Sequence, residues 1–219
     1  MQTGTDLDHD ALRRAVLEAT LGHVPFDGWT QASLNAGARD AGLPDGSALL
    51  AFPNGPVEAI AFWAADADRA MLAALESMDA GKLRVRERVA AAIRLRLEAV
   101  APHREALRRA LGLLALPHNA PRAAELTWRT VDAIWWAAGD TATDFNFYSK
   151  RALLVGVYGS TLLRFLDDRS EGAAETWAFL DRRIADVMRV PKILGNLREK
   201  LGKLPNPFDL MKSSPFRRG

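Results

Sequence analysis

Chemistry in this chain would have to come from its ionisable and nucleophilic side chains, and their spacing is unpromising. The four histidines, His9, His23, His103 and His118, are scattered. None stands in the Glu-x-x-His or His-x-x-x-His spacing that puts two metal ligands on one helix face, which argues against a di-iron carboxylate bundle or a zincin-type site. His118, between Pro117 and Pro121, reads as a residue that caps or hydrogen-bonds a turn. The absence of Cys excludes disulfide scaffolds, thiolate zinc sites and thiol nucleophiles. Gly156 and Gly159 lie in an apolar helical stretch without G-x-G-x-x-G or G-K-[ST], so they make no phosphate loop and read as close-packing positions. Ser149, Ser160 and Thr161 lack any His and carboxylate arrangement visible in sequence. The expectation is a chain with no catalysis of its own, no metal and no cofactor.

Three other constellations stand out. Aromatics concentrate between Trp128 and Phe165, and the adjacent Trp135 and Trp136 cannot both face one core, so one of them is expected on a surface or in a cavity. The stretch from Asp140 to Arg151 mixes charge with aromatics at a helix start, where Phe147, Tyr148 and Arg151 fall within about one turn and have the composition of an interface patch. Asp144 suits the positive end of that helix. Finally, Pro191 to Leu204 reads as a short basic amphipathic helix. Ile193, Leu194, Leu197 and Leu201 share a face, Lys192, Arg198 and Lys200 surround it, and prolines bound it. Such a segment packs on its own body or lies on an anionic bilayer.

These groups must be positioned by helices. Ile60, Ala64, Ala67, Met71 and Leu75 recur at three- and four-residue steps, as do Val85, Val89, Ile93, Leu97 and Val100. Leu107, Ala110, Leu111 and Leu114 continue the pattern. Pro121 opens a helix with Trp128, Val131, Ile134, Trp135 and Ala138 inward, and Gly139 ends it. A helix capped at Thr143 runs to about Asp168, with Ala152, Val155, Leu162, Phe165 and Leu166 inward. A last one carries Trp177, Leu180, Ile184 and Val187. The fold class is all-α. With 219 residues and 48% apolar content, the chain can bury one ordinary core, and no apolar run is long enough to span a membrane. The acidic start lacks a signal-peptide core and an Arg-rich transit pattern, so a cytoplasmic location is expected.

The charge is uneven. Residues 189–219 hold eight Lys/Arg against two carboxylates, leaving residues 1–188 with 21 basic and 25 acidic side chains. The tail, rather than the body, is expected to meet an anionic surface. Near the start, a helix from about Asp10 to Leu21, then Gly28-Trp29-Thr30, a second helix ending at Ala41-Gly42-Leu43 and a short third around Ala48 to Phe52 follow the order of a TetR-type helix-turn-helix head. Yet no Lys or Arg falls between Arg39 and Arg69, and the recognition position offers Leu49, Leu50 and Phe52, which cannot read base edges. The head is expected to survive as packing, with no nucleic acid bound. The expected organisation is a disordered tail over residues 1–9, the head over 10–56, a helical body over 57–188, and the basic amphipathic segment over 189–219.

Leu116-Pro117-His118-Asn119-x-Pro121, followed by Ala138-Gly139-Asp140-x-x-Thr143-Asp144-Phe145-Asn146-x-Tyr148, resembles the coenzyme Q (ubiquinone) biosynthesis lipid-binding accessory family. His23-Val-Pro-x-x-Gly28-Trp-Thr30 and Thr176-Trp177-x-Phe179-Leu180 agree with it, so the likeness covers roughly residues 10–190. The resemblance implies a TetR-like homodimer that has exchanged DNA binding for an isoprenoid lipid or quinone precursor. It implies docking on the di-iron demethoxyubiquinone hydroxylase through Asp144, Phe147, Tyr148 and Arg151, although the pair Phe147-Tyr148 departs from the family's frequent Trp-Tyr. It also implies a C-terminal amphipathic helix on the membrane, here the inner membrane of a bacterium approached from the cytoplasm. From the cavity helices of TetR-like folds, Val131, Trp135, Leu154, Val157, Tyr158 and Leu162 are the expected lipid-lining residues. A ligand-responsive transcription regulator and an enzyme on isoprenoid substrates are the competing readings.

Overall fold

In the computed structural model, the described residues are 4–78, 83–139 and 145–187, and all their regular structure is helical. Helix α1 spans Gly4–Asp27, α2 Gln31–Asp40, α3 Ser47–Ala51, α4 Pro56–Ser77 and α5 Val85–Val100. Helix α6 spans Arg104–Leu114, α7 Ala120–Ala137 and α8 Phe145–Asp167. Residues 174–187 form α9. Short 3-10 turns at Ala101–His103, Pro117–Asn119 and Glu171–Ala173 set the corners.

The head is held by a few specific contacts. Helix α1 is longer at both ends than its periodicity suggests. Pro25 falls in the last turn, and Gly28 (φ +71°) follows directly on the end of the helix. Thr30 caps α2 reciprocally: its Oγ1 accepts from the Ser33 N–H at 3.1 Å, and Ser33 Oγ accepts from the Thr30 N–H at 3.0 Å. Helices α1 and α2 cross so closely that a Cβ on Gly37 would lie 2.3 Å from Thr20 Oγ1 and 2.6 Å from the Thr20 backbone nitrogen. Only glycine fits there. Trp29 is buried and its Nε1 donates to the Ala106 carbonyl at 2.9 Å, which ties the head to α6.

The remaining described residues pack as a helical body. In α4, Ile60, Ala67, Met71 and Leu75 are buried, and in α5, Val89, Ile93, Leu97 and Val100 are. Val85, at the first turn of α5, is exposed. Helix α7 follows most of its expected row: Val131, Ile134 and Ala138 are buried and Trp135 packs against the core, but Trp128, expected inward, is exposed near the start of the row, and Trp136 stands out, 68% exposed. Gly139, with φ +81°, ends it. Thr143, the expected cap of α8, lies outside the described residues.

Helix α8 keeps most of its expected stripe inward, with Leu162, Phe165 and Leu166 buried and Val155 half-buried against the core, and departs from it at one position. Leu154, Val157, Tyr158, Thr161, Leu162, Phe165 and Leu166 are buried, whereas Ala152 is exposed. Gly156 and Gly159 meet nothing within 4 Å of a built Cβ, so they are not close-packing positions within this chain. The turn at Pro117–Asn119 is tied by Asn119, whose Nδ2 donates to the Leu113 carbonyl at 2.9 Å, while His118 is exposed.

Asp168 organises the entry to α9. Its carboxylate accepts from the backbone N–H and hydroxyl of both Ser170 and Thr176, at 2.5–2.8 Å. Burial would raise its pKa, but these hydrogen bonds outweigh that and hold it well below the usual carboxylate range. Phe165 then meets Trp177 with ring centroids 6.0 Å apart, joining α8 to α9.

Candidate functional site

A cavity of about 240 Å³ opens inside the body. Five helices wall it. Ile60, Trp63 and Ala64 come from α4, Arg96 and Val100 from α5, and Leu107, Ala110, Leu111 and Leu114 from α6. Helix α7 adds Leu126 and Thr130, and α8 adds Tyr158 and Leu162. The lining is chiefly apolar with a few polar groups, the composition of a small-molecule site.

The polar groups form one network. Arg96 is 5% exposed, yet it occupies an inward slot of α5, three residues after Ile93 and four before Val100. Its Nε donates to Asp68 Oδ1 at 2.7 Å, and its Nη2 lies 3.4 Å from the Ala64 carbonyl. Thr130 Oγ1 donates to the same Asp68 carboxylate, 3.0 and 3.1 Å from its two oxygens. The Arg96 guanidinium stands 5.8 Å from the centroid of the buried Tyr158 ring. Burial opposes charge on Arg96, but Tyr158 and Asp68 outweigh it, so the guanidinium stays charged. Burial pushes the Tyr158 phenol up, against the pull of Arg96, so the hydroxyl is protonated at neutral pH and can donate.

Trp63 is shared between two spaces. It lines the inner cavity and also an open groove of about 600 Å³ on the outer side, lined by Leu17, Leu21, Ala67 and His103. Its ring meets Trp29 at 5.7 Å and His103 at 6.4 Å between centroids.

Of the six expected lipid-lining residues, Tyr158 and Leu162 do line the cavity. Val131, Leu154 and Val157 are buried in the core beside it, and the half-buried Trp135 also lies outside its lining. The physical reason is rotation: α7 turns Thr130 rather than its neighbour Val131 to the cavity, and α8 presents Tyr158 one turn beyond Leu154. The walls from α4, α5 and α6 were missed. A charged residue in an inward slot of α5 was the available signal.

The expected docking patch also changes. Arg151 is 4% exposed, and its Nε donates to Asp132 Oδ1 at 2.7 Å, so it ties α8 to α7 instead of standing on an open surface. Phe147 and Tyr148 lie on the first turn of α8, but their side chains, like Asp144 as a whole, fall outside the described residues. The membrane-binding set, Ile193, Leu194, Leu197, Leu201, Lys192, Arg198 and Lys200, lies outside them entirely. Among the described residues no helix is long and apolar enough to cross a membrane.

On the head, Leu49 and Leu50 of α3 are 58% and 67% exposed, where a DNA reader would carry hydrogen-bonding side chains.

Comparison with known proteins gives a consistent answer. Residues 120–191 match the COQ9 family model. The chain is 33% identical over 188 residues to the human ubiquinone biosynthesis protein COQ9, mitochondrial, covering 83% of this chain and 59% of that protein. The Drosophila melanogaster protein of the same name is 33% identical over 189 residues, covering 84% and 58%. The probable ubiquinone biosynthesis protein coq9, mitochondrial, of Dictyostelium discoideum is 28% identical over 203 residues, covering 90% and 66%. The chain thus spans about three fifths of the length of the human and fly relatives. Among solved structures, a TetR transcriptional regulator from Nitrosomonas europaea ATCC 19718 superposes with TM-score 0.67 at 23% identity, covering 80% of this chain and 97% of the regulator. The fold is TetR-like.

Proposed function

The chain belongs to the COQ9 family, and on that premise we propose that it is a non-catalytic lipid-binding accessory protein of ubiquinone biosynthesis. In this reading it holds an isoprenoid quinone precursor and presents it to the di-iron demethoxyubiquinone hydroxylase at the membrane. The observation that carries the reading is the mainly apolar cavity walled by α4 to α8. At about 240 Å³ it is smaller than the 300–1,000 Å³ usual for a drug-sized ligand, so it takes a head and the first part of a chain rather than a whole polyprenyl lipid.

Asp144, Phe147 and Tyr148 at the start of α8 are the proposed hydroxylase contacts, with Arg151 holding that helix in place through Asp132. The exposed face of α8, which includes Ala152, Gly156 and Leu163, is the proposed homodimer seam. Residues 189–219 are the proposed membrane contact, with Ile193, Leu194, Leu197 and Leu201 inserted and Lys192, Arg198 and Lys200 on anionic headgroups. The proposed attachment is peripheral, to the inner membrane of a bacterium.

The test is mass spectrometry of organic extracts from protein purified without detergent, beside an unrelated helical control. A stoichiometric polyprenyl quinone or precursor supports the reading. Clean extracts, together with failure to bind an added precursor, overturn it.

A further inference from the structure

The cavity's polar lining differs from that of a site for an acidic lipid. Arg96 is the one charged residue in the lining among the described residues, and Asp68 already neutralises it at 2.7 Å. The cation is balanced before any ligand enters. A carboxylate or phosphate head would therefore bring an unbalanced negative charge into an apolar-walled space, where charge is costly. A neutral oxygen meets a different environment. Among the described residues the Tyr158 hydroxyl makes no hydrogen bond, and Arg96 Nη1 makes none either, its Nε and Nη2 being directed to Asp68 and the Ala64 carbonyl. Two donors are thus left beside one small cavity, with nothing to accept them.

Resting on the lipid-cavity reading above, we infer that Asp68, Arg96, Thr130 and Tyr158 form a head-selecting site, which takes a neutral carbonyl- or hydroxyl-bearing ring and rejects an anionic lipid head. Tyr158 and Arg96 donate to the ligand oxygen. Asp68, held by Thr130, sets the charge balance without touching the ligand. Tyr158 is thereby a specificity residue, and Asp68 a positioning residue.

Calorimetric titration of the purified full chain with three probes of one tail length tests this: 2-decyl-1,4-benzoquinone, decanoate and decylbenzene. The wild type is expected to bind the quinone at least about tenfold more tightly than decanoate. Tyr158→Phe, which keeps the ring and its packing, is expected to weaken the quinone about fivefold and leave decylbenzene unchanged. Asp68→Asn, which leaves the guanidinium unbalanced, is expected to narrow or reverse the preference over decanoate. Equal affinity for quinone and decanoate in the wild type overturns head selection while leaving the lipid cavity standing. An equal loss for quinone and decylbenzene in Tyr158→Phe does the same. Failure of all three probes to bind overturns the cavity reading along with it.

Discussion

The head and the body of this molecule treat polar atoms in opposite ways. In α1 to α3 the fully buried hydroxyls of Thr20 and Ser33 and the Trp29 indole serve the backbone: Thr20 Oγ1 donates to the Val16 carbonyl at 2.6 Å, Ser33 caps α2 together with Thr30, and Trp29 Nε1 reaches the Ala106 carbonyl, while the ion pair of Arg13 with Glu58 is only half-buried. The outward face of α3 carries leucines instead of donors or cations. In α4 to α8, by contrast, a charged pair is drawn inside and set against an open cavity. A helix-turn-helix can keep its geometry by packing alone, because close crossings and caps do not depend on what its surface offers to a ligand. A binding cavity cannot, because its selectivity resides in the few polar groups its walls leave unpaired.

This contrast can be broken most strongly at the buried pair. Asp68→Ala strands the Arg96 charge and is expected to cost about 3 kcal/mol in denaturant unfolding. The double change Asp68→Leu with Arg96→Met should regain most of that loss, because a matched apolar pair has no charge to strand. A double variant no more stable than the single one would mean that the pair contributes through packing.

The head has its own weak point at Gly37. Gly37→Ala must push α1 and α2 apart against the Thr20 backbone, with an expected loss of about 2 kcal/mol in the same assay. Ligand binding in the body should change far less than stability.

Asp168 predicts a pH dependence. Its folded pKa lies below the unfolded value of roughly 4, so its contribution is present above about pH 4 and is lost as pH falls further. Asp168→Asn removes the charge and replaces one of the two acceptor oxygens with a donating amide, set against the donors of Ser170 or Thr176, and is expected to lower the melting temperature by a few degrees at neutral pH. The gap from wild type should shrink below about pH 4. A gap independent of pH would show that the carboxylate's charge is irrelevant there.

The smallest effect is expected where the head faces solvent. Leu49→Ser with Leu50→Ser should leave stability within about 0.5 kcal/mol. Neither the variant nor the wild type should show salt-dependent duplex binding in a filter or anisotropy assay.

Much of the helical frame is visible in the sequence because one-sided burial leaves a 3.6-residue stripe. Val89, Ile93, Leu97 and Val100 announce α5, the adjacent Trp135 and Trp136 announce an exposed indole, and Gly139 announces a terminus. The missing cations of the head are equally plain. The cavity was less legible for a geometric reason. A stripe tells which residues face inward, not whether the space they face is filled, and Val131 and Thr130 differ only by the rotation between successive residues. Arg96 carried a signal that patterns of apolar residues pass over, a charge at an inward position whose partner sits 28 positions earlier in the chain. The openness around Gly156 and Gly159 could not be read either, since glycine permits a close approach without requiring one.

One contact offers a practical handle. Trp63 forms part of the cavity wall and lies 5.7 Å from Trp29, near enough for the two indoles to couple their electronic transitions. Their joint near-ultraviolet dichroism would then depend on the 38° angle between the rings. A ligand that tilts Trp63 would rewrite that signal, making the protein its own unlabelled optical gauge of cavity filling.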